Sequence, residues 1–198
     1  MPSVISKEGM SLSTDKAKKV LDRLEGTLIA DLKSLKIIAE DRSGSSSLKE
    51  KLPGAFNYLL FITGLIASET LGYFINKDSH EGRTEENIKY FILSNYFKQC
   101  AFKKNNYLDT LVSLRTNLVH VFGMTDLAME NINTALGLCV GGSKEPELKQ
   151  DTNTNTVKLN GIKFLELVID GFDSIKSEVM KGNENSALIR VINNKAMI

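Results

Sequence analysis

The stretch from Ala55 to Ile75, AFNYLLFITGLIASETLGYFI, predicts a helix that apolar side chains surround almost completely. A helix of this kind is normally buried, so we expect it to be the central helix of a helical bundle. Pro53 precedes it, where the fixed φ of proline is compatible with a helix start. Gly64, Glu69 and Gly72 interrupt the apolar run, and no membrane-spanning segment is predicted.

Amphipathic segments on both sides of this helix predict more of the bundle. From about Thr14 to Ile38, apolar residues recur at intervals of three and four, which indicates one amphipathic helix. The glycine- and serine-rich run from Asp41 to Ser47 then predicts a loop. A second loop is predicted over the polar stretch from Asn76 to Asn87, and a third helix where apolar spacing returns at Ile88.

The C-terminal half combines one more bundle helix with shorter elements. A fourth helix is predicted from Tyr107 to about Phe122, where apolar and polar residues occupy opposite faces. The segments ALGLCVGG and TNTVKLNG, flanked by glycine and asparagine, predict a small antiparallel β-hairpin over about residues 135–161. A last helix is predicted over about residues 162–180, followed by a frayed tail at residues 181–198. The predicted fold is a single mainly α domain, a helical bundle of about residues 14–122 with an appended hairpin.

The composition is that of an ordinary globular protein. Hydrophobic residues make up 42% of the chain and charged residues 25%, so the chain can bury a core. The formal net charge of +1 excludes a globally basic nucleic-acid binder and leaves room only for a local basic patch. Cys100 and Cys139 lack the spacing of metal or redox pairs, which favours buried reduced thiols. Because the N-terminal residues lack the apolar core of a signal peptide, we expect a cytoplasmic protein with no membrane partner.

One predicted helix brings a cation, an amide and an imidazole together within less than two turns. These are Arg115, Asn117 and His120 in the sequence LRTNLVHVF. An imidazole can take or give a proton near neutral pH, and a guanidinium can hold a phosphate through two donors at once. Such groups suit phosphodiester chemistry. The alternative is a surface arginine and a hydrogen-bonded histidine with structural roles.

The LRTNLVHVF segment resembles the Arg-x4-His motif of the HEPN superfamily. These helical proteins include metal-independent ribonucleases of toxin–antitoxin, CRISPR-associated and other defence systems. The segment GLIASETLGYF, followed by a polar loop, an aromatic helix and the motif, is similar to the order in some bacterial members, and the resemblance covers roughly Leu52 to Phe122. It implies an all-α bundle that forms a homodimer in which two motifs build one cleft for RNA. It also suggests an antitoxin or another regulatory protein as a partner.

The resemblance implies a role for each residue of the motif. His120 would assist the attack of a ribose 2′-hydroxyl on the adjacent phosphate, leaving a cyclic phosphate end. Arg115 would hold the phosphate and stabilise the charge that develops on its oxygens. Asn117 would orient His120 or the phosphate. Thr116, which directly follows Arg115, is a candidate RNA-binding residue of this chain.

Two further sets of charges are candidates for the same site. Lys98, Lys103 and Lys104 lie among aromatic residues before the motif, and cations interleaved with aromatic side chains can bind single-stranded RNA by charge and stacking. The alternative is solvated lysines beside core aromatic residues. Glu69 stands in an apolar helix, where a carboxylate needs a partner, and Arg115 is the natural one for an ion pair.

Three functions remain open from the sequence. The first is a metal-independent endoribonuclease that acts as a homodimer, for which Arg115 and His120 are required. The second is a non-catalytic helical interaction module that keeps the dimer surface. The third is a nucleotide-binding regulator that uses the same basic cleft without cleavage. No glycine-rich phosphate loop, GxSxG elbow or HExxH pair occurs in the sequence, and no cofactor or metal is expected.

Overall fold

The protein is mainly helical in the parts that its computed structural model describes, as the sequence predicts. Within those parts, no helix is both long and apolar enough to cross a membrane. The described residues are 7–44, 55–79, 82–98, 108–109, 111–113, 115, 135–139, 149–151, 156–182 and 186–196.

The N-terminal amphipathic segment forms a longer helical run than the sequence predicts. Helix α1, Lys7–Leu24, continues through a π-helical turn at Glu25–Ile29 into helix α2, Ala30–Gly44. The loop predicted from Asp41 is therefore wrong as far as Gly44, because serine and glycine cost only about 1 kcal/mol or less in a helical turn. Residues 45–47 of that predicted loop lie outside the described residues. Five buried apolar side chains line the run, namely Ala17, Leu21, Ile29, Leu32 and Ala39.

The central helix of the prediction is confirmed as α3, Ala55–Ile75, which contacts α2 and all of the later helices named below. Helix α4, Thr84–Leu93, packs against it so closely that a Cβ added to Gly72 would lie 1.9 Å from the carbonyl oxygen of Asn87. The loop predicted as far as Asn87 is thus too long. Two glutamates in the first turn of α4 explain its earlier start, since acidic side chains interact favourably with a helix N-terminus.

Three short strands form a sheet with β3 at its centre. Strand β1, Ala135–Cys139, and strand β3, Thr156–Asn160, pair in parallel, while strand β2, Lys149–Asp151, pairs antiparallel to β3. An antiparallel hairpin between the two predicted strand segments is therefore wrong. The chain reverses between β2 and β3 instead, and the polar sequence KQD of β2 carries no apolar strand pattern.

The C-terminal part adds two helices to the bundle. Helix α5, Gly161–Lys181, begins at Asn160, whose Oδ1 accepts hydrogen bonds from two backbone N–H groups of the first turn. Helix α6, Ala187–Lys195, then packs on α1 and α3. The predicted frayed tail is wrong over these nine residues, because α6 buries three apolar side chains. They are Leu188, Ile189 and Ile192.

Phenylalanine rings fill the space between α3, α4 and α5. The ring centroids of Phe61 and Phe164 are 5.8 Å apart, and those of Phe91 and Phe97 are also 5.8 Å apart. Phe97 joins the two pairs, at 6.2 Å from Phe164. The ring of Phe97 belongs to the core, so the chain that follows α4 is anchored to the bundle just before Lys98.

Candidate functional site

Part of the predicted motif helix is described, and it includes Arg115. Leu108, Asp109, residues 111–113 and Arg115 are helical, and we call these residues the Arg115 segment. Three of its side chains are buried with the core of the bundle. These are Leu108, Leu111 and Val112. The segment is therefore anchored by apolar contacts of the kind that contribute about 1.5–3 kcal/mol for each fully buried aliphatic side chain.

Two ion pairs attach the polar side of the Arg115 segment to neighbouring helices. Lys89 of α4 lies 2.7 Å from a carboxylate oxygen of Asp109, and Arg115 lies 2.9 Å from one of Glu69 in α3. The first pair is largely exposed and is expected to contribute at most about 1 kcal/mol. The second is the better shielded of the two, with side-chain exposures of 21% for Arg115 and 24% for Glu69.

The ion pair between Glu69 and Arg115 that the sequence predicts is confirmed. Nη2 of Arg115 donates to Oε2 of Glu69 at 2.9 Å, and the other carboxylate oxygen, Oε1, accepts from the hydroxyl of Thr84 at 2.6 Å. Both oxygens of Glu69 are thus engaged, as a partly buried carboxylate requires. We call Thr84, Glu69 and Arg115 the Thr84–Glu69–Arg115 chain. It connects α4, α3 and the motif.

The remaining donors of Arg115 define what this arrangement can bind. Nε is buried, and the part of the chain that the structure describes offers it no acceptor. An anion from solvent would therefore reach the terminal nitrogens of the guanidinium, which can present two parallel N–H groups to a phosphate or carboxylate. Glu69 offsets part of the positive charge while it restricts the movement of the side chain. Chemically, an arginine held in this way can brace two helices, and its terminal nitrogens can also donate to an anion.

The other residues of the predicted catalytic and RNA-binding sets fall mostly outside the described residues. Asn117, His120, Thr116, Lys103 and Lys104 all do so. The distance from Arg115 to the imidazole of His120 therefore lies outside the described geometry. The roles of these five residues stay predictions.

Lys98 is described, and its surroundings are acidic. It is exposed and lines a cleft to which α5 contributes three carboxylates and one further lysine, namely Asp170, Asp173, Glu178 and Lys181. Tyr96 donates a hydrogen bond to Glu178 at 2.8 Å, and burial together with this carboxylate raises the pKa of the tyrosine hydroxyl. Carboxylates beside a lysine repel phosphate. We therefore expect Lys98 to contribute less to RNA binding than its sequence neighbours suggest.

Thr84 is the member of this site that the sequence does not indicate. A threonine at a loop-to-helix boundary normally suggests a helix cap, and its hydroxyl is directed instead at a carboxylate fifteen residues earlier. Only the packing of α4 on α3 brings the two side chains together. Among the described residues, no group of three or more His, Cys, Asp or Glu side chains is placed to hold a metal ion.

Comparisons of the chain with protein-family models, with curated proteins and with solved structures gave no match.

Proposed function

We propose that the protein is a HEPN-like, metal-independent endoribonuclease of a toxin or defence system. Its active form would be a homodimer in which two copies of the Arg115–His120 motif build one RNA-binding cleft. The observation that carries the proposal is the partly exposed side chain of Arg115, whose guanidinium is held by Glu69 at 2.9 Å. The motif sequence LRTNLVHVF supplies the imidazole and the amide that phosphodiester cleavage would need.

The proposed reaction is an internal transesterification of RNA. His120 takes the proton of a ribose 2′-hydroxyl, and the oxygen attacks the adjacent phosphorus. The bond from phosphorus to the 5′-oxygen breaks, and that oxygen gains a proton, which leaves a 2′,3′-cyclic phosphate and a 5′-hydroxyl. Arg115 stabilises the charge that develops on the phosphate oxygens, and Asn117 orients the imidazole or the phosphate.

The chain of hydrogen bonds around Arg115 supports this role because charge stabilisation depends on preorganisation. Donors that are already aligned where charge develops need no reorientation during the reaction. Glu69 restrains the guanidinium, and the buried Leu111 and Val112 restrain the backbone beneath it. We assign RNA contacts to Thr116, Lys103 and Lys104, and a smaller contribution to Lys98 because of its acidic neighbours.

A non-catalytic interaction module is the second candidate, and the same ion pair favours it. Glu69 offsets the charge of Arg115, and a guanidinium that braces two helices can be purely structural. Such a module would keep a dimer surface and bind an antitoxin-like or other regulatory protein without cleaving RNA. Cleavage separates the two candidates, whereas dimerisation does not.

The test is an RNA cleavage assay in the presence of a chelator. Wild type, His120→Ala and His80→Ala would each be incubated with labelled single-stranded RNA of varied sequence, where His80 is the other histidine of the chain and serves as the matched control. We expect wild type and His80→Ala to cleave at similar rates and His120→Ala to be at least about a hundredfold slower.

Other outcomes of this assay would favour a different function. Absence of cleavage by folded wild type would favour the interaction module, and saturable nucleotide binding without RNA breakdown would favour the nucleotide-binding regulator. Equal cleavage by wild type and His120→Ala would contradict a catalytic role for this imidazole.

A further inference from the structure

The hydroxyl of Thr84 makes a contact that the packing of the core does not require. Thr84 is the first residue of α4, and Arg83 at the N-cap makes no side-chain capping bond within the described chain. The hydroxyl donates to Oε1 of Glu69 at 2.6 Å, a distance typical of a hydroxyl bound to an ionised carboxylate. Its partner oxygen belongs to the carboxylate that holds Arg115.

The position of Thr84 is itself set by close contacts between α3 and α4. The backbone of Asn87, one turn further along α4, lies directly against Gly72, where a Cβ would be 1.9 Å from the carbonyl oxygen. The side chain of Asn87 accepts a hydrogen bond from the buried Ser79 at 2.5 Å. The first turn of α4 is therefore fixed relative to α3, and so is the hydroxyl that faces Glu69.

The hydrogen bond from Thr84 restricts the orientation in which Glu69 holds Arg115. A carboxylate held through one oxygen can rotate about its last side-chain bond, since that torsion is broad. When Thr84 holds Oε1, the plane of the carboxylate is set, and with it the direction from which Oε2 accepts Nη2 of Arg115. The orientation of the guanidinium therefore depends on a hydroxyl in another helix.

We infer that Thr84 is a positioning residue for Arg115, acting through Glu69. This inference rests on the proposed ribonuclease function, and it adds a residue that touches neither substrate nor the reacting atoms. Its expected effect is on the chemical step, because an arginine that stabilises developing charge contributes more to the transition state than to the bound substrate.

Two substitutions at one position separate positioning from folding. Thr84→Val replaces the hydroxyl by a methyl group of similar size, and Thr84→Ser keeps the hydroxyl while removing a methyl group. We expect Thr84→Val to lower kcat about tenfold to a hundredfold with KM changed less than about threefold, as misplacement of a catalytic group can do. Thr84→Ser should retain kcat within about threefold of wild type.

A second measurement reports on Arg115 without using RNA cleavage. The ¹⁵N–¹H signal of the arginine Nε is observable when that group is buried, as it is here, and its absence from Arg115→Lys would assign it. We expect wild type and Thr84→Ser to show the signal, and Thr84→Val to lose it or broaden it.

The kinetic and NMR measurements test the ribonuclease function and the role of Thr84 separately. If wild type does not cleave RNA but only Thr84→Val loses the Nε signal, the ribonuclease function is wrong while Thr84 still positions Arg115. If Thr84→Val keeps both the wild-type kcat and the Nε signal, the inference about Thr84 is overturned. An equal fall of kcat in Thr84→Ser and Thr84→Val would also overturn it, because the hydroxyl would not be the group that matters.

Discussion

Glu69 illustrates, at the scale of a single residue, how an apolar helix can carry a charge. An ionised carboxylate in such a helix is costly unless its oxygens are paired, and here one oxygen accepts from Thr84 and the other from Arg115. Because both partners of the ion pair remain partly exposed, its contribution to stability is expected to be modest, about 1 kcal/mol. Its main effect is to fix where the guanidinium points.

Substitution of Glu69 should therefore have a graded effect on stability. We expect Glu69→Ala to lower the free energy of unfolding by about 1–2 kcal/mol, because Thr84 and Arg115 lose their shared acceptor. Glu69→Gln keeps one acceptor oxygen and should cost less. Urea unfolding of both variants, of Arg115→Ala and of the two double mutants would measure the coupling energy. A coupling energy near zero would show that the ion pair does not contribute to folding.

Between elements, α3 and α4 approach each other very closely at Gly72. We expect Gly72→Ala to destabilise the fold by about 1–3 kcal/mol or more, because its Cβ would overlap the carbonyl oxygen of Asn87. The matched control is Gly26→Ala in the π-helical turn, where the added Cβ meets nothing within 4 Å. That substitution should be neutral or stabilise by up to about 1 kcal/mol. Equal midpoints in thermal unfolding would contradict the packing of α4 on α3.

A lysine connects α5 to the N-terminal helical run, and its effect should depend on pH. Lys176 lies 2.6 Å from Glu25 and 2.9 Å from Asp22, and the hydrogen bonds to these carboxylates raise its pKa above the ordinary 10.5. A raised lysine pKa stabilises the fold below the unfolded-state pKa, and this contribution is lost as the pH rises through the folded-state pKa.

We therefore expect Lys176→Met to be less stable than wild type at pH 7, with the difference shrinking above about pH 10.5. Urea unfolding of both proteins across this range would test it, with Lys33→Met in α2 as an exposed control. A difference that stays constant or grows with pH would exclude the two carboxylates as its cause.

Elements that carry their own pattern could be predicted from the sequence, and those that depend on distant partners could not. Helix α3 was predictable because its apolar residues continue around the whole helix. Strand β2 is short and polar, and it exists through its pairing with β3. The nine residues of α6 pack on α1 and α3, and these tertiary contacts stabilise the helix. At the site, the opposite charge of Glu69 was enough to predict its ion pair with Arg115. The hydrogen bond from Thr84 to Glu69 was not predictable, because it depends on how α4 crosses α3.

For the whole molecule, the net charge of +1 limits how RNA can be held. If Lys103, Lys104 and Arg115 contact phosphates in one or both subunits of the dimer, three to six contacts are made. Each contributes about −0.7 to the slope of log affinity against log salt for a single strand. We expect a slope of about −2 to −4 for binding of single-stranded RNA to His120→Ala, measured by fluorescence anisotropy. A slope near zero would contradict phosphate contacts, and a much steeper one would require a larger basic surface.

The ends of the RNA products would show whether the motif of Arg115 and His120 cleaves RNA without a metal. Wild type would be incubated with a defined RNA oligonucleotide in chelator, and the fragments would be analysed by mass spectrometry beside those from His120→Ala. We predict fragments with 2′,3′-cyclic phosphate and 5′-hydroxyl ends from wild type only. Intact RNA after prolonged incubation with folded wild type, or the same fragments from His120→Ala, would contradict cleavage by this motif.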